Sequence, residues 1–386
     1  VAEGREPFEG TLAYRPGWRE RWRHRARRHV TALYLLALGA ATAGVTAVPG
    51  VYLHAAGAGA LSWAIAMLLV LLPASALGTT VVQWLVTQLL PPRVLPKLGF
   101  EEAIPREWKT VVVVPTLLAS PDDVHHLLVR IERHYLCNPD ASLQFALLTD
   151  FTDAPAQHMP GDDELLQHAV NGIRRLNTKL GTNGKGPFHL LHRERRNNAI
   201  EGCWMGWERK RGKLEELNRL LGGDRSTSYA LHEGNPQGLK DVRFVLTLDT
   251  DTLLPHGTAA RLIGILAHPL NRAELEPGTG RVRAGYTIVQ PRVEISPESG
   301  ERSRFTRLYA GDTTIDIYSR AVSDVYQDLF GAGIYVGKGI YDVAAFRRSL
   351  DGRVPENALA SHDLFEGIHG RVALATDVVR YEDYPA

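Results

Sequence analysis

The sequence predicts an α/β fold with a mainly parallel sheet, preceded by a pair of apolar helices. Two long runs near the N-terminus, Val30–Leu53 and Leu61–Leu90, contain no charged side chain. From Thr110 onward, short apolar runs alternate with amphipathic segments. Strands separated by helices are typical of a parallel sheet with helices on both faces. The 386 residues are enough for a sizeable core.

The two uncharged runs are long enough to cross a membrane, because about 20 helical residues span a hydrocarbon core of about 30 Å. Aromatic side chains that suit a membrane interface lie toward their ends: Tyr34, Tyr52, Trp63 and Trp84. A buried helical hairpin in a soluble protein is the alternative. Two uncharged runs in succession are rare in soluble folds, so a transmembrane hairpin is favoured.

The basic residues predict the orientation of this hairpin. The joining loop His54–Ala60 contains no Lys or Arg, whereas Arg93 and Lys97 follow the second run. Arginines crowd the segment before the first run: Arg15, Arg19, Arg21, Arg23, Arg25, Arg27 and Arg28. Loops rich in Lys and Arg stay cytoplasmic. We therefore expect a basic cytoplasmic segment (1–29), two transmembrane helices with their flanks (30–97) and a cytosolic domain (98–386).

Apolar periodicity and capping residues predict the elements of the cytosolic domain in order. Ser120 is a candidate N-cap and Pro121 the first residue of a helix that runs to about Tyr135. Strands are predicted at Val111–Pro115, Gln144–Thr149, Phe188–His192 and Arg243–Leu248. Further helices are predicted at Asp163–Leu180, Arg211–Leu221 and Gly257–Ala267. Loops are predicted at Thr152–Asp162, Gly181–Pro187, Gly222–Leu239 and Ser296–Glu301.

Composition excludes several classes of function. The net charge is +1 and no nucleic-acid-binding motif is present, so a nucleic-acid partner is not expected. Cys137 and Cys203 are far apart and form no CxxC pattern, which excludes a thiolate zinc site and a disulfide framework. The basic run HRERR, which includes Arg193 and Arg195, could hold a phosphate but is predicted to be a solvated face.

Three aspartates lie at the ends of predicted strands: Asp150, Asp249 and Asp251. Ligands of open α/β sheets bind outside the carboxyl ends of the strands. If the strand persists through Asp251, its side chain and that of Asp249 project the same way. Neighbouring carboxylates suit Mg²⁺ or Mn²⁺, which could hold a diphosphate. The alternative is a solvated turn, where Asp is common.

The same letters also fit a different chemistry. An apolar strand followed by DxDxT, here Asp249 to Thr252, opens the haloacid-dehalogenase-like phosphohydrolases, and GDxxxD occurs at Gly311–Asp316. Those enzymes place a basic residue, usually lysine, between the two motifs, and no lysine lies between Asp251 and Asp312. The apolar hairpin would also remain unexplained. This interpretation is therefore the weaker one.

Several longer stretches resemble one family. LTLDTDTLLP, AHPLNR, VQPRV, AVSDVYQDLFG, GKGIYDV and GRVPENALASHDLFEG are similar to the glycosyltransferase region of cyclic β-1,2-glucan synthases (glycosyltransferase family 84), relatives of processive polysaccharide synthases. The resemblance extends from about Arg15 to the C-terminus. It implies a GT-A fold, UDP-glucose as donor, a Mg²⁺ or Mn²⁺ cofactor and a place at the bacterial inner membrane.

The resemblance also implies roles for individual residues. Asp249 and Asp251 match the DxD that binds the metal and the UDP diphosphate, and Asp150 matches an aspartate that contacts the nucleotide. Lys213 resembles a lysine near the nucleotide. The acceptor side should involve the FxGxG-like turn and residues near it: Phe330, Gly331, Ala332, Gly333, Gln290 and Arg292. Lys338 could reach a phosphate or cap a turn.

Asp363 occupies the place of the catalytic acid of those synthases. UDP-glucose is an α-linked donor, so a β-1,2 product requires one inverting displacement and one base near the attacking hydroxyl. Asp363 is the predicted base, and Glu366, one helical turn away, is the alternative. A structural role for Asp363 as a helix N-cap, with Ser361 as competitor, is the other possibility.

The pattern departs from the processive synthases in one respect. They carry a QxxRW-like motif after the catalytic acid, and this sequence has none. The resemblance therefore implies a fragment, followed in the full protein by more transmembrane helices and a phosphorylase-like region. A synthase of another β-linked polysaccharide and a membrane-anchored binding module with a degenerate site remain alternatives.

Overall fold

The computed structural model describes residues 28–181, 186–304, 323–358 and 361–383, together with residues 11, 14, 17, 18, 306, 319 and 320. The chain divides into two compact units. One holds the described residues of 1–93 and 315–331, and the other holds those of 94–314 and 332–386. The segment 98–386, predicted as one domain, therefore contributes residues to both units.

The helices are α1 (Val30–Ala55), α2 (Ala60–Leu89), α3 (Pro121–Cys137), α4 (Asp162–Leu180), α5 (Arg209–Leu221), α6 (Thr258–Ala267), α7 (Pro297–Gly300), α8 (Val325–Phe330), α9 (Val343–Leu350) and α10 (Asp363–Gly370). The strands are β1 (Thr110–Leu118), β2 (Leu143–Phe151), β3 (Phe188–Arg193), β4 (Arg196–Asn198), β5 (Cys203–Met205), β6 (Tyr229–Glu233), β7 (Phe244–Thr247), β8 (Glu274–Leu275), β9 (Val282–Ala284), β10 (Ile288–Ile295), β11 (Ser319–Arg320), β12 (Ser323–Asp324), β13 (Gly339–Asp342) and β14 (Val372–Glu382). Short 3₁₀ turns lie at Arg106–Trp108, Pro236–Leu239 and Pro269–Asn271.

In the first unit, α1 and α2 form a hairpin in which both helices are long and apolar enough to cross a membrane. A glycine permits their close approach. A Cβ atom added at Gly78 of α2 would lie 2.9 Å from the backbone nitrogen of Thr42 in α1. The Trp63 indole donates to the Gly50 carbonyl oxygen at 3.1 Å. Small residues at helix contacts are typical of packing in membranes.

The second unit is built on an eight-stranded sheet with the order β14-β10-β13-β7-β1-β2-β3-β6. Neighbours β10 and β14, β7 and β1, β1 and β2, and β2 and β3 are parallel. The strands β13 and β6 run antiparallel to their neighbours. The predicted mainly parallel sheet, preceded by two apolar helices, is therefore confirmed.

Apolar side chains cover both faces of this sheet. In β1, Val112 and Val114 belong to one buried cluster, with α3, α4 and α6, whereas Val111 and Val113 belong to another, with α5 and α9. Successive side chains of a strand point to opposite faces, so a continuous valine run fits a strand with two covered faces. Because β1 is parallel to both β2 and β7, the carboxyl ends of these three strands lie at one edge of the sheet.

Most predicted elements are confirmed to within a few residues, and the exceptions have physical reasons. Ser120 caps α3 by accepting a hydrogen bond from the Asp123 amide at 3.2 Å, as predicted. The predicted loop Gly222–Leu239 contains β6, an edge strand whose side chains are only partly buried and which therefore lacks a strong apolar signal. The predicted loop Ser296–Glu301 contains α7, a single helical turn.

Candidate active site at the carboxyl edge of the sheet

Asp249 and Asp251 follow β7 but do not lie on it. The strand ends at Thr247, and residues 250 and 251 form a turn, so strand alternation does not set the direction of these side chains. The Asp249 amide donates to the buried Thr252 hydroxyl at 3.2 Å, and the Thr252 amide donates back to the Asp249 carbonyl at 3.2 Å. These reciprocal bonds fix the turn, so the second threonine of DTDT is a structural residue.

The Asp249 carboxylate holds a lysine at each oxygen. The ammonium group of Lys210, at the start of α5, lies 2.5 Å from Oδ1, and that of Lys338 lies 2.9 Å from Oδ2. Burial raises the pKa of Asp249, but the two lysines outweigh burial and lower it. Asp249 is therefore an ionised, hard oxygen ligand whose coordination positions are taken by ammonium groups.

Lys338 connects Asp249 to the end of β14. Its ammonium group also lies 2.6 Å from Glu382 Oε1, and the Arg380 Nη2 atom lies 3.2 Å from the same oxygen. Burial lowers the pKa of Lys338, but the two carboxylates outweigh it and raise the pKa. Arg380 is fully buried, and its three guanidinium nitrogens form no hydrogen bond with the described residues.

The carboxylates of Asp249 and Asp251 fit a divalent ion such as Mg²⁺ or Mn²⁺, provided that a lysine leaves Asp249. Asp251 is partly exposed and forms no hydrogen bond or ion pair with the residues that the structure describes, so its oxygens are available. Carboxylate oxygens are the ligands that such ions prefer. An ion bound to Asp249 would displace Lys210 or Lys338, because each oxygen of that carboxylate already faces an ammonium group.

Asp150, near the end of β2, is the centre of a buried ion network. The Arg193 guanidinium donates to both of its oxygens at 2.8 Å and donates to Glu216 at 3.0 Å. The Lys213 ammonium lies 3.2 Å from Asp150 Oδ2 and donates to the Thr116 carbonyl oxygen. Burial lowers the pKa of Lys213 to about 8, with Asp150 opposing the shift. These contacts occupy both oxygens of the Asp150 carboxylate. In this structure, the residue that was predicted to contact a nucleotide holds basic side chains of the protein itself.

In the basic run HRERR, His192, Arg193 and Arg195 are buried, whereas Glu194 and Arg196 are exposed, so the prediction of a solvated face is wrong for the three buried residues. Arg193 is completely buried, and Arg195, 3% exposed, pairs with Asp162 at 2.5 Å. The positive charges are tolerated in the interior because each faces a carboxylate. A Cβ added at Gly206 would collide with the Asp150 carboxylate, so a glycine is needed beside this network.

A cavity of about 580 Å³ opens between the Asp150 network and the Asp249 turn. Its walls include Asp150, Lys210, Lys213 and Thr250, and the apolar side chains of Leu117, Leu127 and Phe151. Two of these lining residues, Asp150 and Lys213, are among those that the resemblance implies lie near the nucleotide. The volume lies within the range of small-molecule sites.

Asp363 is the first residue of α10 and lies beside the segment that carries Lys338. A Cβ added at Gly337 would lie 2.5 Å from Asp363 Oδ1, so the glycine backbone packs against this carboxylate. Lys338, the next residue, contacts Asp249. The N-cap of α10 is His362, and no side chain forms a capping hydrogen bond there. The alternative role of Asp363 as a side-chain cap is therefore not observed.

His362 lies between two carboxylates. Its Nδ1 atom is 3.4 Å from Asp363 Oδ1 and 3.1 Å from Glu366 Oε1, and neither contact has hydrogen-bond geometry. Glu366 is 6% exposed and also lines a second cavity of about 1000 Å³. Asp363 is the more exposed of the two acids, at 29% against 8% for their side chains, so it is the more accessible base.

The predicted acceptor residues are divided between the two units of the chain. The buried Gln290 side chain accepts from the Val336 amide at 2.8 Å and so supports the segment before Gly337. Arg292 pairs with Glu294 at 2.5 Å. Gly333 donates to the Val372 carbonyl oxygen at 2.8 Å, and it and Ala332 belong to the second unit.

Phe330 and Gly331 belong to the first unit. Gly331 has a φ of +71° and ends α8, and Phe330 contacts Tyr34 edge-to-face with 5.8 Å between ring centroids. The FxGxG-like turn is thus a helix end followed by a crossing to the second unit. A positive φ explains the glycine without reference to a sugar. The phosphohydrolase motif Gly311–Asp316 lies outside the described residues.

Sequence reasoning did not assign Lys210, Arg380 or Glu382 to the site. Lys210 lies in the run RKRGK, in which only Lys213 was assigned a role. Arg380 and Glu382 belong to β14, which was not predicted. Arg380 and Glu382 are two residues apart, so their side chains project from the same side of a strand. This spacing would have associated the two residues if β14 had been predicted.

Searched against protein-family models, the chain matches none. It is 45% identical over 324 residues to the cyclic β-(1,2)-glucan synthase NdvB of Rhizobium meliloti (strain 1021), a match that covers 83% of this chain and 11% of the relative. The chain thus spans about a ninth of that relative's length. This identity confirms the resemblance that the motifs indicated.

Solved structures give a weaker similarity. An active-site mutant of LgtC, and the galactosyltransferase LgtC in complex with donor and acceptor sugar analogues, each share 13% identity with 69% of the chain, cover 72% of the LgtC chain and have a TM-score of 0.28. A TM-score this low transfers neither a ligand nor a residue role.

Proposed function

The chain is homologous to a region of a cyclic β-(1,2)-glucan synthase, and on that premise we propose that it is an inverting, metal-dependent glucosyltransferase. It transfers glucose from UDP-glucose to a growing β-1,2-glucan. The observation that carries the proposal is the Gly337–Lys338 segment. Gly337 packs against Asp363, and Lys338 contacts Asp249, so one dipeptide joins the Asp363 carboxylate to the acidic turn.

The donor occupies the cavity of about 580 Å³ in this proposal. Lys213 and Lys210, both in its wall, face the diphosphate. Asp150 and Arg193 hold Lys213 in place, since the ion network fixes its ammonium group at the cavity wall. Asp249 and Asp251 would hold the divalent ion, which would supply positive charge to stabilise the departing diphosphate.

Asp363 acts as the general base. The attacking hydroxyl of the acceptor gives its proton to the Asp363 carboxylate as its oxygen bonds to the anomeric carbon of glucose. The bond from that carbon to the UDP oxygen breaks in the same step, with its electron pair leaving on UDP. One displacement converts the α-linked donor into a β-linked product. Glu366 is less suited to this role because it is more deeply buried.

On the same resemblance, we propose that the chain lies at the bacterial inner membrane. The hairpin α1–α2 spans it, and the basic flanks hold both ends of the hairpin in the cytoplasm. The second unit then faces the cytosolic pool of UDP-glucose. A phosphorylase-like region of the full-length protein, as the family implies, is the proposed partner that trims the glucan.

The test is transfer from labelled UDP-glucose by membranes that contain the full-length protein, with Mg²⁺ or Mn²⁺ and linkage analysis of the product. We expect β-1,2 linkages from the wild type, and no transfer but retained UDP binding from Asp363→Asn. Asp163→Asn, at an exposed position of α4, is the matched control and should retain activity. Another linkage would indicate a synthase of a different β-linked polysaccharide, and normal turnover by Asp363→Asn would exclude it as the base.

A further inference from the structure

The acidic side chains at and near the turn that contains Asp249 are matched by an equal number of basic side chains. Among the described residues, ion pairs connect Lys210, Lys338, Arg380, Asp249 and Glu382. Asp251, in the same turn as Asp249, adds a third acid to the three bases, and we name these six residues the balanced cluster. With every member in its usual charged form, the cluster carries no net charge in the absence of a ligand.

Neutrality has a consequence for ligand binding. A divalent cation alone would leave the cluster with excess positive charge and would compete with two ammonium groups for the oxygens of Asp249. A diphosphate alone would add excess negative charge beside three carboxylates. Charges that lie partly out of water are expensive unless they are paired. A divalent cation and the doubly negative diphosphate of UDP-glucose that arrive together leave the cluster neutral, and UDP with the same cation leaves less excess charge than UDP alone.

The three basic members differ in their freedom to move. Lys210 is 30% exposed on the cavity wall, and Lys338 is 14% exposed. Each ends a flexible four-carbon chain, so its ammonium group can change partner while the backbone stays in place. Arg380 is completely buried in β14, so its guanidinium group is the least able of the three to change partner.

We propose that Lys210 and Lys338 exchange partners when the donor binds: they leave the Asp249 oxygens to the divalent ion and bind the diphosphate. Each ligand therefore strengthens the binding of the other, and because such coupling is reciprocal, UDP tightens the metal by the same factor as the metal tightens UDP. The inference rests on the proposed metal site at Asp249 and Asp251 and adds the residues that couple it to the nucleotide.

The experiment measures Mn²⁺ binding to the full chain in detergent by electron paramagnetic resonance of free Mn²⁺, with and without UDP. In the wild type we expect UDP to tighten Mn²⁺ at least about tenfold, a coupling of about 1.4 kcal/mol. Lys338→Met should bind Mn²⁺ more tightly than wild type without UDP, since one oxygen of Asp249 is free. It should bind UDP more weakly and show less than about threefold coupling.

Lys210→Met is the second variant and should change both affinities in the same directions. Its side chain is partly exposed, so it also decides the matter if Lys338→Met fails to fold. Lys240→Met, at an exposed position outside the cluster, is the matched control and should bind both ligands as the wild type does.

The outcomes separate this inference from the proposed function. If UDP tightens Mn²⁺ in the wild type and both variants keep the full coupling and the wild-type affinity for Mn²⁺ alone, the lysines do not exchange and only this inference is overturned. If the wild type binds no Mn²⁺ even with UDP, the proposed metal site is wrong, and the exchange is overturned with it.

Discussion

The backbone of Gly337 lies against the carboxylate of Asp363. A Cβ atom at residue 337 would lie 2.5 Å from Oδ1 and 2.8 Å from Oδ2, and the φ of Gly337 is +75°. The next residue, Lys338, binds Asp249 and Glu382. A single dipeptide thus contacts both the proposed base and a proposed metal ligand, so its conformation sets the geometry of the reaction.

We expect Gly337→Ala to lower glucosyl transfer by at least about tenfold, and by up to about a hundredfold if Asp363 shifts by an ångström. The added methyl group overlaps the Asp363 carboxylate and must displace it. Binding of UDP should fall less than transfer does, because Lys213 and Lys210 in the wall of the donor cavity are unchanged. Transfer from labelled UDP-glucose and UDP binding, measured on the same preparation, check this expectation.

Gly352→Ala is the matched control for the backbone strain. Gly352 has a similar φ of +66°, but no atom lies within 4 Å of an added Cβ. Both variants force an L-residue into the left-handed region, and only the variant at 337 meets a carboxylate. Equal loss of activity in the two variants would show that strain, rather than displacement of Asp363, is responsible.

The buried network around Asp150 predicts a large effect on stability. Arg193→Met leaves the Asp150 and Glu216 carboxylates without their guanidinium partner in the interior. Removing one partner of a buried ion pair costs about 3–5 kcal/mol, so we expect a much lower free energy of unfolding in denaturant. Arg174→Met removes an exposed arginine from Glu233 and should leave stability nearly unchanged. Similar unfolding curves for the two variants would contradict a structural role for the network.

The sheet could be predicted where the sequence signal is local. The continuous valine run of β1 and the cap at Ser120 both act within a few residues, and both are confirmed. The strands β10, β13 and β14 depend on partners far along the chain. Val289 pairs with Ile340 and with Ala373, and a pairing of such sequence separation leaves no local pattern to recognise.

The candidate site likewise has features that the local sequence predicts and features that depend on distant contacts. Strand-end position was enough to select Asp150, Asp249 and Asp251 from the sequence. It could not show that Lys338 and Lys210 close on Asp249, because those contacts depend on the arrangement of strands and helices. The buried Arg193 was mistaken for a solvated residue, since a basic run gives no sign of the carboxylates that will face it.

The apolar hairpin predicts an effect of helix packing. Gly78→Leu places a branched side chain where a Cβ alone would lie 2.9 Å from the Thr42 backbone nitrogen. Overpacking of this kind costs about 1–3 kcal/mol, so we expect a lower midpoint for thermal loss of helical circular dichroism in detergent. Gly44→Leu, at a position of α1 with no atom within 4 Å, should not lower it. A lowered midpoint for both variants would indicate a general intolerance of leucine rather than contact between the helices.

The lowered pKa of Lys213 predicts that UDP binding depends on pH. Burial lowers the pKa of its ammonium group from 10.5 to about 8, so the group loses its proton as the pH rises through about 8. If the charged form binds the diphosphate, UDP affinity is greatest below pH 8 and falls above it by at most about tenfold per pH unit. Lys213→Met should bind UDP weakly at every pH, and titrations of both proteins across this window check the expectation.

Unfolding cannot produce the same pH dependence through Lys213. Because its pKa is lower in the folded state, the unfolded chain binds more protons between pH 8 and 10.5, and the free energy of unfolding that this group contributes rises with pH across that window. A loss of UDP affinity above pH 8 in a protein whose stability does not fall would therefore report the ammonium charge itself. A flat profile in the wild type would exclude Lys213 as a charged ligand of the diphosphate.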